Sequence, residues 1–129
     1  AACLNSGERY DPATNRWEAV APMGTGRSVL AAAVIDGKLY ALGGFGDGGR
    51  VDSVERYDPA TNLWETVAPM STKRAGLAAA VVDGRLFAVG GHSGSRVLDS
   101  VERYDPATNT WETVAPMGAG IAYLAGVAI

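Results

Sequence analysis

The chain has 129 residues, 47% of them hydrophobic and 19% charged, with 11 basic against 14 acidic side chains and a formal net charge of −3. That length suits one domain, and that composition suits a folded globular chain, not a disordered one. The single cysteine, Cys3, excludes an internal disulfide framework and a cysteine-rich zinc site, while the acidic balance argues against nucleic acid as a partner.

The chain opens on a partial unit. Residues 1–4 and Asn5-Ser6-Gly7 suggest a short strand and a turn; Glu8-Arg9-Tyr10 leads into the turn sequence Asp11-Pro12-Ala13-Thr14-Asn15, and Trp17 precedes Ala21-Pro22-Met23. The octet at 8–15 recurs at 55–62 and 102–109, Trp17 recurs as Trp64 and Trp111, and Ala21-Pro22-Met23 recurs as Ala68-Pro69-Met70 and Ala115-Pro116-Met117. Residues 24–70 and 71–117 are thus two complete units, identical at about two-thirds of their positions, and internal repetition of this strength signals a repeat array.

Each complete unit predicts four strands. The first, 30–35 and 77–82, is alanine-rich and apolar on both faces, so burial on both sides is expected. Asp36-Gly37 and Asp83-Gly84 follow, the dipeptide of two-residue hairpins whose central residues need positive φ. The second strand, 39–42 and 86–89, runs into Gly43-Gly44 and Gly90-Gly91. The third, 53–57 and 100–104, is stopped by the Asp-Pro-Ala-Thr-Asn turn, where proline presets φ and asparagine tolerates a left-handed conformation. The fourth, 63–67 and 110–114, is blocked by Pro69 and Pro116. No segment keeps a 3.6-residue period, so the expected class is all-β. Repeated four-stranded antiparallel units bury both faces by stacking radially, as in a propeller.

At Gly43-Gly44, Tyr57 and Trp64, and again at Gly90-Gly91, Tyr104 and Trp111, the sequence resembles the kelch repeat family, whose units are of about 50 residues. The resemblance runs from Glu8 to Ile129 and implies kelch-type β-propeller blades of four antiparallel strands. The competing WD40 signatures are missing; Gly91-His92 is an isolated coincidence. The chain is divided accordingly into one kelch module: half-blade 1–23, blades 24–70 and 71–117, and 118–129 as the first strand of a further blade. Closed propellers hold about four to eight blades. Either a longer propeller or a second copy is therefore expected to complete the ring, with a six-blade homodimer favoured and 118–129 pairing with the half-blade of the other copy. A designed or purely structural building block is the alternative.

Residues 44–49 match G-x-G-x-x-G, but a strand and not a helix is expected to follow, so a flexible loop is preferred to a phosphate cradle. His92, Ser93 and Asp99 lie on one loop and do not make a triad by spacing alone, which leaves His92 as a surface histidine. The recurring tyrosine and tryptophan pairs are expected to pack blades together. Metal, cofactor, membrane and nucleic acid are not expected. The localisation expected is cytoplasmic, since no leader or span of about 18 apolar residues is visible.

The two complete units differ mainly at 24–29 against 71–76 and at 45–51 against 92–98, segments expected on one face. A constant scaffold with one varied loop face suits binding. That face, 118–123 included, carries Arg27, Arg50, Lys73, Arg74 and Arg96 against Asp47, with His92 among them, so the expected partner is a protein or an acidic peptide. In the BTB-kelch adaptors that the repeats resemble, arginines at the starts of first strands help bind acidic peptides. Arg27 and Arg74 match that position, whereas Ile121 does not. The expected function is a non-catalytic interaction scaffold; a propeller enzyme acting on a small anion is the competing class.

Overall fold

The computed structural model describes residues 4–46, 48–94 and 96–118. All but the first residue of the strand expected over 118–129, and most of the one over 1–4, lie outside these residues. Every regular element described is a strand. In chain order they are β1 (Gly7–Asp11), β2 (Arg16–Val20), β3 (Ala31–Ile35), β4 (Lys38–Leu42), β5 (Phe45–Gly46), β6 (Gly49–Arg50), β7 (Val54–Asp58), β8 (Leu63–Val67), β9 (Ala78–Val82), β10 (Arg85–Val89), β11 (Val101–Asp105) and β12 (Thr110–Val114). Among the described residues no helix is long and apolar enough to cross a membrane.

Two antiparallel four-stranded sheets, β3-β4-β7-β8 and β9-β10-β11-β12, follow the chain order expected of propeller blades, and β1-β2 form a separate pair matching the last two strands of a blade. The turns work as their residues dictate. Asp36 and Gly37 have φ of 50° and 76°, and Asp83 and Gly84 have 51° and 72°; Asn15, Asn62 and Asn109 lie at 56°, 55° and 54°. Asx bonds from Ala13, Ala60 and Ala107 N–H to Asp11, Asp58 and Asp105, each at 2.9 Å, brace the three long turns.

One apolar core joins the two complete blades. Leu42, Val54 and Tyr40 of the first meet Leu77, Leu86 and Tyr104 of the second, all nearly or fully buried. The first strands depart from expectation, since β3 is buried at Ala31 and Ile35 while Ala32 is exposed and Val34 is 57% exposed. Successive strand side chains point to opposite faces. One face of β3 packs toward β9, and no described residue covers the other. The glycine pairs have a steric cause. A Cβ on Gly43 would stand 2.3 Å from the Arg74 carbonyl oxygen, and one on Gly44 would stand 2.5 Å from that of Ser28. Backbone of the segments leading into β9 and β3, respectively, passes where the side chain would be.

Candidate interaction face

Two kinds of segment meet at one end of the blades: the connections leading into β3 and β9, and the loops joining second to third strands. Gly44 N–H donates to the Arg74 carbonyl at 2.7 Å, Met70 N–H to Asp52 at 2.9 Å, and Ala75 and His92 exchange two backbone bonds at 3.1 and 2.9 Å. The loop of the first blade folds into the small β5–β6 hairpin, Phe45 opposite Arg50, and runs on to strand β7. The loop is therefore partly ordered by pairing, and no helix follows the glycine pattern to present an N-terminus to a phosphate.

Arg27 and Arg74, expected as partner contacts, are buried instead, at 3% and 0% exposure. Arg27 donates to the carbonyls of Gly43 and Ser53 at 3.1 and 2.8 Å and to Glu55 Oε2 at 3.0 Å. Arg74 repeats this with Gly90 and Ser100 at 2.9 Å each and reaches Glu102 Oε2 through both Nε and a terminal nitrogen at 3.1 Å. Carbonyls at the end of the second strand and the start of the third converge on a point that only a long, multiply donating side chain can fill. The glutamates also collect backbone donors: Gly24 and Thr25 N–H at 2.7 and 3.2 Å on Glu55, and Ser71 N–H at 2.7 Å on Glu102. These arginines fix the connecting segments in place.

His92 is buried at 9% exposure, not displayed on the surface, because its loop folds back on Ala75 and Val97. Arg50 Nε donates to His92 Nδ1 at 2.8 Å, the Arg50 guanidinium lies 4.8 Å over the Phe45 ring, and the Phe45 and His92 rings stand 5.8 Å apart. The first blade's loop thereby docks on the second's. Lys73 and Arg96 are exposed on the same end, and Arg50 is half-buried. Among the described residues no three His, Cys, Asp or Glu side chains gather as a metal site would need. A groove of about 420 Å³ lies near the hairpin ends, bordered by Asp36, Lys38, Arg56 and Asp105, so it mixes both signs of charge. There Arg56 donates to the Tyr40 hydroxyl at 3.3 Å, which raises the guanidinium pKa, and burial pushes the Tyr104 phenol up as well.

A second recurring device joins neighbouring sheets. Trp64 Nε1 donates to the Ala21 carbonyl at 2.7 Å while Asn62 Oδ1 accepts from Ala21 N–H at 3.0 Å and from Tyr57 hydroxyl at 2.7 Å. Trp111, Asn109, Ala68 and Tyr104 repeat it at 2.8, 3.0 and 2.7 Å. The tyrosine and tryptophan are cross-strand partners within a sheet, Tyr57 with Trp64 and Tyr104 with Trp111, and the indole N–H makes the inter-sheet contact. Sequence reading found the aromatics, and the asparagines as turn residues, but missed the ion-pair role of Glu55 and Glu102 and the inter-sheet role of Asn62 and Asn109. The available signal was their recurrence at the same offset from Arg27, Arg74, Ala21 and Ala68.

The family profile described as the Kelch motif matches residues 1–24, 27–71 and 73–118. Kelch-like protein 35 of Mus musculus is 48% identical over 52 residues, which is 40% of this chain and 9% of that protein. Kelch-like ECH-associated protein 1A of Danio rerio is 49% identical over 35 residues, 27% of this chain and 6% of the relative. The chain thus spans a tenth or less of the length of these curated relatives. The solved structure described as that of YjhT superposes with a TM-score of 0.77 at 19% identity, covering 95% of this chain and 54% of that one, a likeness of fold.

Proposed function

The chain belongs to the kelch-repeat family, and from that premise we propose that it is a non-catalytic propeller segment that binds a protein partner through its loop face and completes its ring with a second copy. The observation that carries the binding role is the distribution of charge at that end. Lys73 and Arg96 reach solvent and the half-buried Arg50 bonds to His92, while the two buried arginines are neutralised by Glu55 and Glu102. An acidic peptide suits the three outer cations, with His92 setting the position of Arg50 and Arg27 and Arg74 holding the loops in shape. The names of the zebrafish relative above and of the mouse Influenza virus NS1A-binding protein homolog, 48% identical over 42 residues, state association with other molecules and support an interaction role. That similarity covers 33% of this chain and 6% of the mouse protein, so the partner itself is not transferred.

Fluorescence anisotropy with a labelled oligoglutamate peptide tests this. Binding should weaken as salt rises, because exposed charges are screened over about 8–10 Å at ordinary ionic strength. A Lys73→Glu/Arg96→Glu variant should bind about tenfold more weakly, an order appropriate to a pair of rim charges. Equal affinity for oligolysine, or no binding at millimolar peptide, removes the proposal.

A further inference from the structure

Resting on the assembly reading above, we infer that Tyr10, Asn15 and Trp17 form a preformed seat for the Ala115-Pro116-Met117 segment of a second copy. The chain shows this joint twice. Ala21 is held by Asn62 and Trp64, and Ala68 by Asn109 and Trp111, each through one bond to the alanine N–H and one from the indole to its carbonyl. The two segments held are Ala-Pro-Met, the same tripeptide as 115–117.

The seat on β1–β2 already has the geometry of the occupied ones. Tyr10 hydroxyl donates to Asn15 Oδ1 at 2.7 Å, as in both complete blades. The Tyr10–Trp17 rings lie 5.4 Å apart, against 5.3 and 5.2 Å in the occupied seats. Asn15 keeps the same left-handed φ of 56°. Only its exposure differs: Tyr10 is 44% exposed where Tyr57 and Tyr104 are 6% and 0%, and Trp17 is 65% exposed where Trp64 and Trp111 are half-buried. Among the described residues nothing bonds to the Trp17 indole N–H or to the Ala115 amide and carbonyl. Met117 N–H nevertheless donates to Asp99 at 2.8 Å, as Met70 does to Asp52 at 2.9 Å, so the segment already has the anchor of its counterpart. Donor, acceptor and shape are thus preorganised on both sides.

The joint between copies is weaker than those inside one. Glu8 stands where Glu55 and Glu102 bind arginine, but Ile121 occupies the position of Arg27 and Arg74, so no guanidinium follows the segment into this seat. Reversible, concentration-dependent association results. Because the seat and the segment are different surfaces, contact is head to tail and closes into a ring or extends as a chain according to the rotation between copies.

The test follows the three indole N–H groups by NMR hydrogen exchange, in parallel with sedimentation of the 129-residue chain over a concentration series. In dilute solution Trp64 and Trp111 should be protected and Trp17 should exchange rapidly; on association Trp17 should become protected too. Trp17→Phe, which keeps an aromatic ring and removes the N–H donor, should weaken association about tenfold, the factor for about 1.4 kcal/mol and within the range for stranding one buried acceptor. Ala115→Pro, which removes the donated amide, should act similarly, and neither should lower the unfolding midpoint of the dilute protein. Association that leaves Trp17 exchanging, or that survives both variants, overturns the seat while leaving assembly intact. A monomer at every concentration overturns both.

Discussion

Arg74 and Glu102, 28 residues apart in sequence, meet at 3.1 Å with their side chains 0% and 1% exposed, and Arg27 and Glu55 repeat the pair at 3.0 Å. Each pair binds the segment entering a blade to that blade's third strand. In the Arg74–Glu102 pair the buried guanidinium and carboxylate are stable because backbone groups supply further partners: carbonyls of Gly90 and Ser100 on the arginine, Ser71 N–H on the glutamate.

Removing one partner of such a pair leaves a buried charge without compensation, at a cost of about 3–5 kcal/mol. Arg74→Ala should therefore lower the urea midpoint steeply, whereas Lys73→Ala, at an exposed neighbour, should change stability by less than about 0.5 kcal/mol. Arg27→Ala should cost less than Arg74→Ala, since Arg27 Nε is buried without a hydrogen-bond partner while Arg74 Nε donates to Glu102. Equilibrium denaturation of the three variants checks the order. Equal tolerance of Arg74→Ala and Lys73→Ala would refute the structural role.

The glycine pairs offer a comparison at nearly matched φ. Gly37, at 76°, has nothing within 4 Å of an added Cβ, while Gly43, at 59°, has the Arg74 carbonyl oxygen at 2.3 Å. Gly37→Ala should lose only the left-handed penalty, about 1–2 kcal/mol. Gly43→Ala must also displace backbone of the next connecting segment and should lose clearly more, in thermal melts of the two variants. Similar melting points would show that the approach is loose.

The strands and turns were legible because local chemistry decides them. Asp36-Gly37 and Asn62 set their backbone conformations locally, and each strand of the two four-stranded sheets lies within a residue of where alternation and turn signals put it, whereas the β5–β6 hairpin stands where a loop is expected. The site was less legible because it depends on contacts made at long range. An arginine on a loop reads as a solvated charge, and only the approach of Gly43, Ser53 and Glu55 turns Arg27 into a strut. His92 read as a surface residue for the same reason: its burial comes from Ala75, Phe45 and Arg50 of other segments. The charge pattern alone could not separate Lys73 and Arg96, which reach solvent, from the two arginines that do not.

Asn109 and Asn15 share one turn sequence and one φ, and only their surroundings differ. Asn109 accepts from Ala68 N–H and Tyr104 hydroxyl, while among the described residues the Asn15 side chain accepts only from Tyr10, at an exposed corner. Glycine adopts that φ freely, so an asparagine-to-glycine change reports the lost side chain. Asn109→Gly should cost about 1–3 kcal/mol by stranding partly buried donors. Asn15→Gly in dilute protein should cost much less. Denaturant titration of both variants decides, and equal losses would mean that the bond to Ala68 adds nothing.

Tyr104 gives the fold an alkaline limit. Its side chain is fully buried between the two blades, with its ring 5.8 Å from Tyr40 and its hydroxyl donating to Asn109 at 2.7 Å. Burial pushes its pKa up, because a phenolate there would lose hydration. The folded state then holds the Tyr104 proton more tightly than the unfolded chain, where tyrosine titrates near about 10. With the folded pKa above the unfolded one, the contribution is fully present below the unfolded value and is lost as pH rises through the folded one. Unfolding free energy should thus fall, with a slope approaching one proton, between the unfolded and the folded value. Deprotonation also replaces the donor to Asn109 Oδ1 with a second acceptor, which repels it. Tyr104→Phe should be less stable at neutral pH, having lost the hydrogen bond, and should decline less steeply in alkali. Urea titrations of both proteins from pH 8 upward, fitted for the slope of stability against pH, should show the two curves converging. Parallel curves would place the alkaline loss on another group.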